Sequence, residues 1–144
     1  MMPKIDFYIL SAAKSLQFAC RLIEKIYKQK HCIYIHTANQ TEAHQLDELL
    51  WTYREDSFLP HNLYGEGPEP TPPIQIGFDV IPEKQRDILI NLSNQVPPFY
   101  AQFIRIAELI ANDPTAEEAG RERYRFYRAE NCEITTHKLQ TIES

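Results

Sequence analysis

The first half of the chain alternates short apolar runs with helical patterns, and this alternation constrains the fold more than any other feature. Ile5 to Leu10 is an apolar run too short for a helix, and Cys32 to His36 alternates as a strand. Between them, apolar residues recur at helical spacing from Lys14 to Lys30. Asn39 with Glu42 has the form of a capping box, which opens a second helix. This β-α-β-α order predicts a parallel sheet with right-handed crossovers.

The chain then continues with further strands. Ile74 to Phe78 and Ile88 to Leu92 are predicted as strands, and a short helix is expected around Phe99 to Phe103. Ile104 to Ile110 fits either a strand or a helix. The 144 residues suit one domain. We therefore predict an α/β fold with a three-layer, mostly parallel twisted sheet of Rossmann-like topology, in a single domain spanning residues 1–144.

A last helix follows, and it carries a cluster of arginines. Asp113 is a helix cap with Pro114 at the first helical position, and the tail from Ile134 is expected to form a short edge element or to fray. The arginines of the helix are Arg121, Arg123, Arg125 and Arg128. On a chain with a formal net charge of −5, such a local basic face suits an acidic peptide better than a long phosphate backbone. A solvated helix surface is the alternative interpretation.

One stripe of this helix has the spacing of a binding surface. Glu117, Arg121, Tyr124 and Arg128 stand at i, i+4, i+7 and i+11. A guanidinium one turn from an aromatic ring offers a fork for a terminal carboxylate and an apolar wall for a neighbouring side chain. The alternative is an exposed arginine beside a core tyrosine.

Composition excludes several classes of protein. With 43% apolar residues, the chain is globular and not disordered. No apolar run is long enough to span a bilayer, and Met1 to Lys4 leads into a strand without a cleavable signal pattern, so a cytoplasmic protein with no membrane contact is expected. Cys20, Cys32 and Cys132 are expected to be reduced thiols, the first two in the core.

Motifs that would carry chemistry are missing from the sequence. The turn from Ile9 to Lys14 contains no glycine, so it offers no glycine-lined backbone to a pyrophosphate, and Gly65 to Pro68 is predicted to form a turn. Ser11 and Ser57 lack the G-x-S-x-G elbow of a nucleophile. The five histidines show neither H-E-x-x-H nor cysteine-pair spacing. We expect no catalytic residue, no metal site and no cofactor.

Three aromatic residues fall where a solvated connection would normally be polar. Trp51, Tyr53 and Phe58 follow a helix that carries Leu46 and Leu50, so either the core or a partner must cover them. Large aromatics near a helix end usually pack inward, so this spacing alone favours the core.

Four segments together resemble the chi subunit of bacterial DNA polymerase III holoenzyme. They are LDELLWTYREDSFLPHNLYGEGP, PIQIGF, RDILINL and RERYRFYR. Their order and spacing are compatible with that family over nearly the whole chain. The resemblance favours a strand for most of Ile104 to Ile110.

The resemblance also implies a function. Members of this family are non-catalytic adaptors in DNA replication, which join the clamp loader, through the psi subunit, to the C-terminal tail of single-stranded DNA-binding protein. The positions that match the tail-binding site are Arg121 and Tyr124, with Arg125 and Arg128 as further contacts. The lysine that the family places one turn before that arginine is Glu117 here, which should weaken binding or shift it towards Arg125 or Arg128.

The resemblance places psi on a different surface. Trp51 and Phe58 match the aromatic positions of the psi interface, and an accessory helicase is a further partner expected at that face. Contact with nucleic acid is then indirect. The sequence leaves two alternatives open, which are a small α/β hydrolase or nucleotide-dependent enzyme, and direct binding of single-stranded DNA through the segment from Arg121 to Arg128.

Overall fold

The computed structural model describes residues 2–11, 15–54, 56, 58–67, 69–83 and 87–138. In chain order the elements are β1 (Lys4–Leu10), α1 (Ser15–Lys28), β2 (Ile33–Thr37), α2 (Gln40–Thr52), β3 (His61–Leu63), β4 (Ile74–Phe78), β5 (Ile88–Asn91), a short 3-10 helix (Tyr100–Gln102), β6 (Arg105–Ala111), α3 (Pro114–Ala129) and β7 (Glu133–Lys138).

One sheet joins all the described strands. Its order is β3-β4-β2-β5-β6-β1-β7, and every described pairing is parallel. Helices α1 and α2 contribute to the core on one face of the sheet, whereas α3 and the 3-10 helix contribute to the core on the other. The predicted three-layer α/β fold of Rossmann-like topology is confirmed, with a sheet that is parallel throughout the described strands.

The two cores differ in character. The core under α1 and α2 is aliphatic, and Leu46 and Leu50 are fully buried in it, as their helical spacing predicts. The core under α3 is aromatic, and Tyr34 and Tyr127 are both 0% exposed there. Tyr34 reaches across to β4, where a Cβ atom added at Gly77 would overlap its hydroxyl group. Gly77 is therefore needed for this close approach.

The helix caps and the turn that the sequence predicts are present in the structure. The side chain of Asn39 accepts a hydrogen bond from the backbone N–H of Glu42 at 2.9 Å, and that of Asp113 accepts one from Ala116 at 2.9 Å. The predicted turn is present, with Gly65 at a φ of 87°. Pro68, the last residue of that predicted turn, lies outside the described residues.

Some local predictions need correction. Cys20 is buried as expected, but Cys32 is exposed, because it precedes β2 at the end of the sheet, where its N–H donates to Asp87. The segment that fitted either a strand or a helix is the strand β6. The tail from Ile134 forms the edge strand β7. No described helix is long and apolar enough to cross a membrane.

Candidate functional site

A cavity of about 530 Å³ lies between α3 and the sheet, and we call it the α3 cavity. It opens at the carboxyl ends of β1 and β6, with β7 forming its far side. In open parallel sheets, ligands bind at this edge, because the connections that follow the strands diverge there. The α3 cavity is therefore the first place to look for a ligand.

The floor and one wall of the α3 cavity are apolar. Phe7, Ile9 and Ile110 line it from the strands, and Tyr124 lines it from α3. The ring centroids of Phe7 and Tyr124 are 5.6 Å apart and tilted by 52°. Phe7 is buried, whereas Tyr124 keeps 36% of its surface exposed. This arrangement can receive an apolar or aromatic side chain against an existing aromatic pair.

Charged groups surround this apolar floor. Arg121 and Glu117 line the cavity from α3, and Lys138 lines it from β7. The Nη2 atom of Arg121 lies 3.1 Å from Oε1 of Glu118, and both side chains are more than half exposed. The cavity therefore combines an apolar floor with two cations and one carboxylate at its rim, which suits a ligand that has both a ring and an anionic group.

The structure brings together only some of the residues expected at this site. Arg121 and Tyr124 line the α3 cavity, but Arg125 and Arg128 do not. Arg125 is exposed and forms an ion pair with Glu122 at 3.1 Å. Arg128 is exposed in the last turn of α3. These two arginines can reach only the parts of a ligand that extend beyond the cavity.

The expectation that Arg123 belongs to the exposed basic face is wrong. Arg123 is 3% exposed, and its Nε atom donates to Oε1 of Glu108 on β6 at 2.8 Å. Glu108 also accepts hydrogen bonds from the Tyr127 hydroxyl group at 2.6 Å and from the Asn91 amide at 3.0 Å. Burial raises the pKa of Glu108, although Arg123 and the other donors act to lower it. This buried network fixes α3 to the sheet and leaves Arg121 and Tyr124 facing the cavity.

A glycine allows the same helix to approach the sheet closely. A Cβ atom at Gly120 would lie 2.5 Å from Cδ1 of Ile110, so no larger residue fits without a shift. Gly120 and Ile110 both line the α3 cavity. The width of the cavity therefore depends on this contact.

The edge strand β7 supplies two residues to which the sequence alone assigned no role. Thr136 and Lys138 line the cavity, one on either side of His137. Alternation along a strand places both on the same face of the sheet. The sequence shows that Thr136 and Lys138 are two residues apart. This spacing identifies them as cavity residues only once β7 is known to pair with β1.

Trp51 and Phe58 form an exposed aromatic pair, which we call the aromatic surface. Trp51 is 52% exposed and Phe58 is 69% exposed, and their ring centroids are 5.9 Å apart. The Trp51 ring lies 4.1 Å from the buried His61 ring, which hydrogen bonds to the backbone oxygens of Leu59 and Asp47. The placement of these aromatics in the core, which spacing alone favoured, is wrong for Trp51 and Phe58. Exposed aromatics of this size are typical of interfaces.

A second cavity, of about 1080 Å³, lies at the carboxyl ends of β2, β4 and β5 beside the start of α2. The described residues that line it include Asp79 but neither lysine nor arginine. Burial lowers the pKa of His36, which also lines it, so this ring is held neutral more readily. These side chains offer no cation to a phosphate group.

The remaining candidates for chemistry are placed as follows. Ser11 lines the α3 cavity. Ser57 and residues 12–14 of the first strand-to-helix turn lie outside the described residues. Within the described ranges, no group of three or more histidine, cysteine, aspartate or glutamate side chains could hold a metal ion.

Comparison with known proteins gives a consistent result. The family model described as "DNA polymerase III chi subunit, HolC" matches residues 2–135. The DNA polymerase III subunit chi of Pseudomonas aeruginosa is 38% identical over 144 residues, covering 98% of this chain and 100% of that protein. The chi subunit of Haemophilus influenzae is 31% identical, with 96% and 99% covered, and that of Escherichia coli is 31% identical, with 94% and 97% covered.

Proposed function

Because the chain belongs to the DNA polymerase III chi subunit family, an accessory subunit of the replicative holoenzyme, we propose that it acts as a non-catalytic adaptor. In this proposal, residues 1–144 form a single chi-like domain. The domain links the clamp loader, through the psi subunit, to the C-terminal tail of single-stranded DNA-binding protein.

The α3 cavity is the observation that carries the tail-binding half of the proposal. A peptide that ends in phenylalanine would place its ring on the floor beside Tyr124 and its terminal carboxylate on Arg121. A charge-assisted hydrogen bond contributes roughly 1.5–3 kcal/mol, and burial of a phenylalanine ring contributes about as much. After the cost of association, the dissociation constant should be on the order of micromolar. Arg125 and Arg128, which are exposed beyond the cavity, are proposed to attract the acidic residues upstream of the phenylalanine.

The aromatic surface supports the psi-binding half. Trp51 and Phe58 expose a pair of rings of the kind that anchors protein interfaces. Trp51 belongs to α2, which packs on the face of the sheet opposite α3. Two partners could therefore be bound at once, as an adaptor requires. An accessory helicase is a further candidate for the same aromatic surface.

The charge distribution favours a peptide over single-stranded DNA. Arg123 is buried, and Arg121 and Arg125 each form an ion pair with a glutamate on the same helix. The basic surface is therefore smaller than four arginines would suggest, on a chain of formal net charge −5. All three relatives carry the name of a polymerase subunit, which supports an accessory role over a small α/β hydrolase or a nucleotide-dependent enzyme.

Fluorescence anisotropy with a labelled acidic peptide that ends in phenylalanine tests tail binding. Arg121→Ala should abolish measurable binding, and removing the terminal phenylalanine from the peptide should do the same. Lys25→Ala is a matched control, because it removes an exposed positive charge from α1, on the opposite face of the sheet. Unchanged affinity in Arg121→Ala would overturn the proposed site.

The adaptor role itself needs a three-component experiment. The purified protein should form a complex with psi, and addition of the tail peptide should give a ternary complex in sedimentation analysis. The peptide should bind the complex with psi about as tightly as it binds the protein alone. Displacement of psi by the peptide would contradict two separate surfaces.

A further inference from the structure

Two walls of the α3 cavity carry a cation. Arg121 stands on α3, and Lys138 stands at the end of the edge strand β7. The two side chains therefore approach the cavity from different elements of the fold. Both cations can therefore act on an anionic group that enters the cavity.

The fold determines which way Lys138 faces. The neighbouring His137 stacks on Tyr8, with ring centroids 4.7 Å apart, and its Nε2 atom donates a hydrogen bond to Oδ1 of Asp6 at 3.2 Å. Tyr8 packs against the core under α1 and α2, so His137 lies on that face of the sheet. Strand alternation then directs Thr136 and Lys138 to the opposite face, towards α3, and both line the cavity.

The ammonium group of Lys138 is available to a ligand. Within the described part of the chain it forms no ion pair, and its residue is exposed. Arg121, in contrast, already lies against Glu118. A ligand carboxylate must compete with Glu118 for Arg121, whereas no described carboxylate forms an ion pair with Lys138.

The charges on α3 also require a second cation. Near the cavity the helix presents the carboxylates of Glu117 and Glu118 against the single guanidinium of Arg121. This part of the helix alone does not attract an anion. Lys138 adds a second positive charge, which offsets the second of these two carboxylates.

We propose that Lys138 is the second cationic contact of the site and that it binds the free terminal carboxylate of the peptide, opposite Arg121. The carboxylate is then held between α3 and β7. This inference rests on the proposed tail binding and identifies the group of the tail that the edge strand recognises.

The test compares two peptides by fluorescence anisotropy, with the unmodified protein and a set of variants. One acidic peptide ends in phenylalanine with a free carboxylate, and the other is the same peptide as the C-terminal carboxamide. Lys138→Gln should weaken binding of the free-carboxylate peptide by roughly three- to tenfold, because the contact is exposed. It should leave binding of the carboxamide peptide unchanged. Lys25→Gln makes the same charge change on the opposite face and should affect neither peptide.

Other outcomes overturn the inference in distinguishable ways. If Lys138→Gln behaves like Lys25→Gln while Arg121→Ala abolishes binding, tail binding stands and the role of Lys138 fails. If Lys138→Gln weakens both peptides equally, Lys138 attracts the acidic side chains of the peptide and not its terminus. If the unmodified protein binds neither peptide, the proposed function fails, and this inference fails with it. Lys138→Arg should retain the affinity, which separates loss of charge from loss of folding.

Discussion

Glu117 is the residue that most affects the charge of the α3 cavity. It lines the cavity one helical turn before Arg121. A carboxylate at this position repels an acidic peptide and competes for the nearby cations.

We therefore expect Glu117→Lys to tighten binding of the tail peptide. The gain should be at most about tenfold, because the side chain is partly exposed, and it should shrink as salt screens the new attraction. Anisotropy titrations at two salt concentrations measure both effects. Glu48→Lys makes the same charge change on α2 and should leave the affinity as it is. Weaker binding in Glu117→Lys would mean that the peptide approaches the cavity from another side.

A second prediction at the residue scale concerns the aromatic surface. Trp51→Ala and Phe58→Ala should each weaken psi binding by roughly 2 kcal/mol, about thirtyfold, because truncating an interface aromatic removes buried apolar area. Neither variant should alter tail-peptide binding, because the α3 cavity lies on the opposite face of the sheet. Phe126→Ala, which truncates a 39% exposed ring on α3, is the matched control for psi binding.

Circular dichroism should show that these variants stay folded, since Trp51 and Phe58 are more than half exposed. If both Trp51→Ala and Phe58→Ala unfold, the two rings stabilise the fold and are not an interface for psi. Psi binding equal to that of the unmodified protein would instead place psi on another surface.

Burial of single residues was the least predictable feature of the site. Arg123 was expected at the surface, since arginine usually lies there, and its partner Glu108 is distant in sequence. Trp51 was favoured for the core because large aromatics usually pack inward, but its side chain is 52% exposed. Arg121 and Tyr124 were predicted together because they lie one turn apart on one helix. Contacts within a helix can be deduced from spacing, whereas contacts between elements cannot.

At the scale of elements, the packing of α3 against β6 controls the shape of the cavity. Gly120→Ala would place a methyl group 2.5 Å from Cδ1 of Ile110. Overpacking of this kind destabilises by roughly 1–3 kcal/mol, and the better helix propensity of alanine offsets about 1 kcal/mol of it. We expect a lower free energy of unfolding in urea and weaker binding of the tail peptide, because α3 or Ile110 must move.

A compensating substitution makes this prediction specific. Ile110→Val removes the Cδ1 atom that the new methyl group would meet, so the double variant should recover part of the stability and of the affinity. If the double variant is less stable and binds the peptide more weakly than Gly120→Ala alone, the steric explanation is wrong.

Most helices and strands could be predicted from the sequence, but the strands that pair with one another in the sheet could not. The first strands and helices have clear periodicity, and Asn39 and Asp113 indicate where helices begin. The three residues of β3 follow Pro60 and carry too little pattern to indicate a strand. The pairing of β1 with both β6 and β7 depends on crossovers that the sequence does not encode locally. For this reason the contribution of Lys138 could not be predicted.

At the scale of the whole molecule, one carboxylate connects three strands. Asp6 of β1 accepts a hydrogen bond from Arg105 of β6 at 2.7 Å and lies 3.2 Å from the ring nitrogen of His137 on β7. Burial alone would raise the pKa of Asp6, but the hydrogen bonds and charges of Arg105 and His137 together hold it below its ordinary value of 3.8. The unfolded chain therefore binds a proton more readily than the folded chain does.

This difference predicts a loss of stability in acid. The contribution of Asp6 is present above pH 3.8 and is lost as the pH falls through the lower pKa of the folded state. Urea denaturation between pH 2 and pH 6 should show a free energy of unfolding that decreases with acid. In Asp6→Asn the value should be lower at neutral pH, and it should depend less on pH in the acid range. An equally steep dependence in the variant would assign the acid sensitivity to other carboxylates.

The buried pair of Glu108 and Arg123 also limits how such a sequence can change over generations. Losing one partner leaves an uncompensated buried charge, which destabilises by about 3–5 kcal/mol, a large part of the ~5–15 kcal/mol that stabilises a domain. Replacing both with apolar residues of similar volume is close to neutral, provided that Tyr127 and Asn91 also lose the groups that donate to Glu108. These four positions are thus expected to change together in related sequences or not at all.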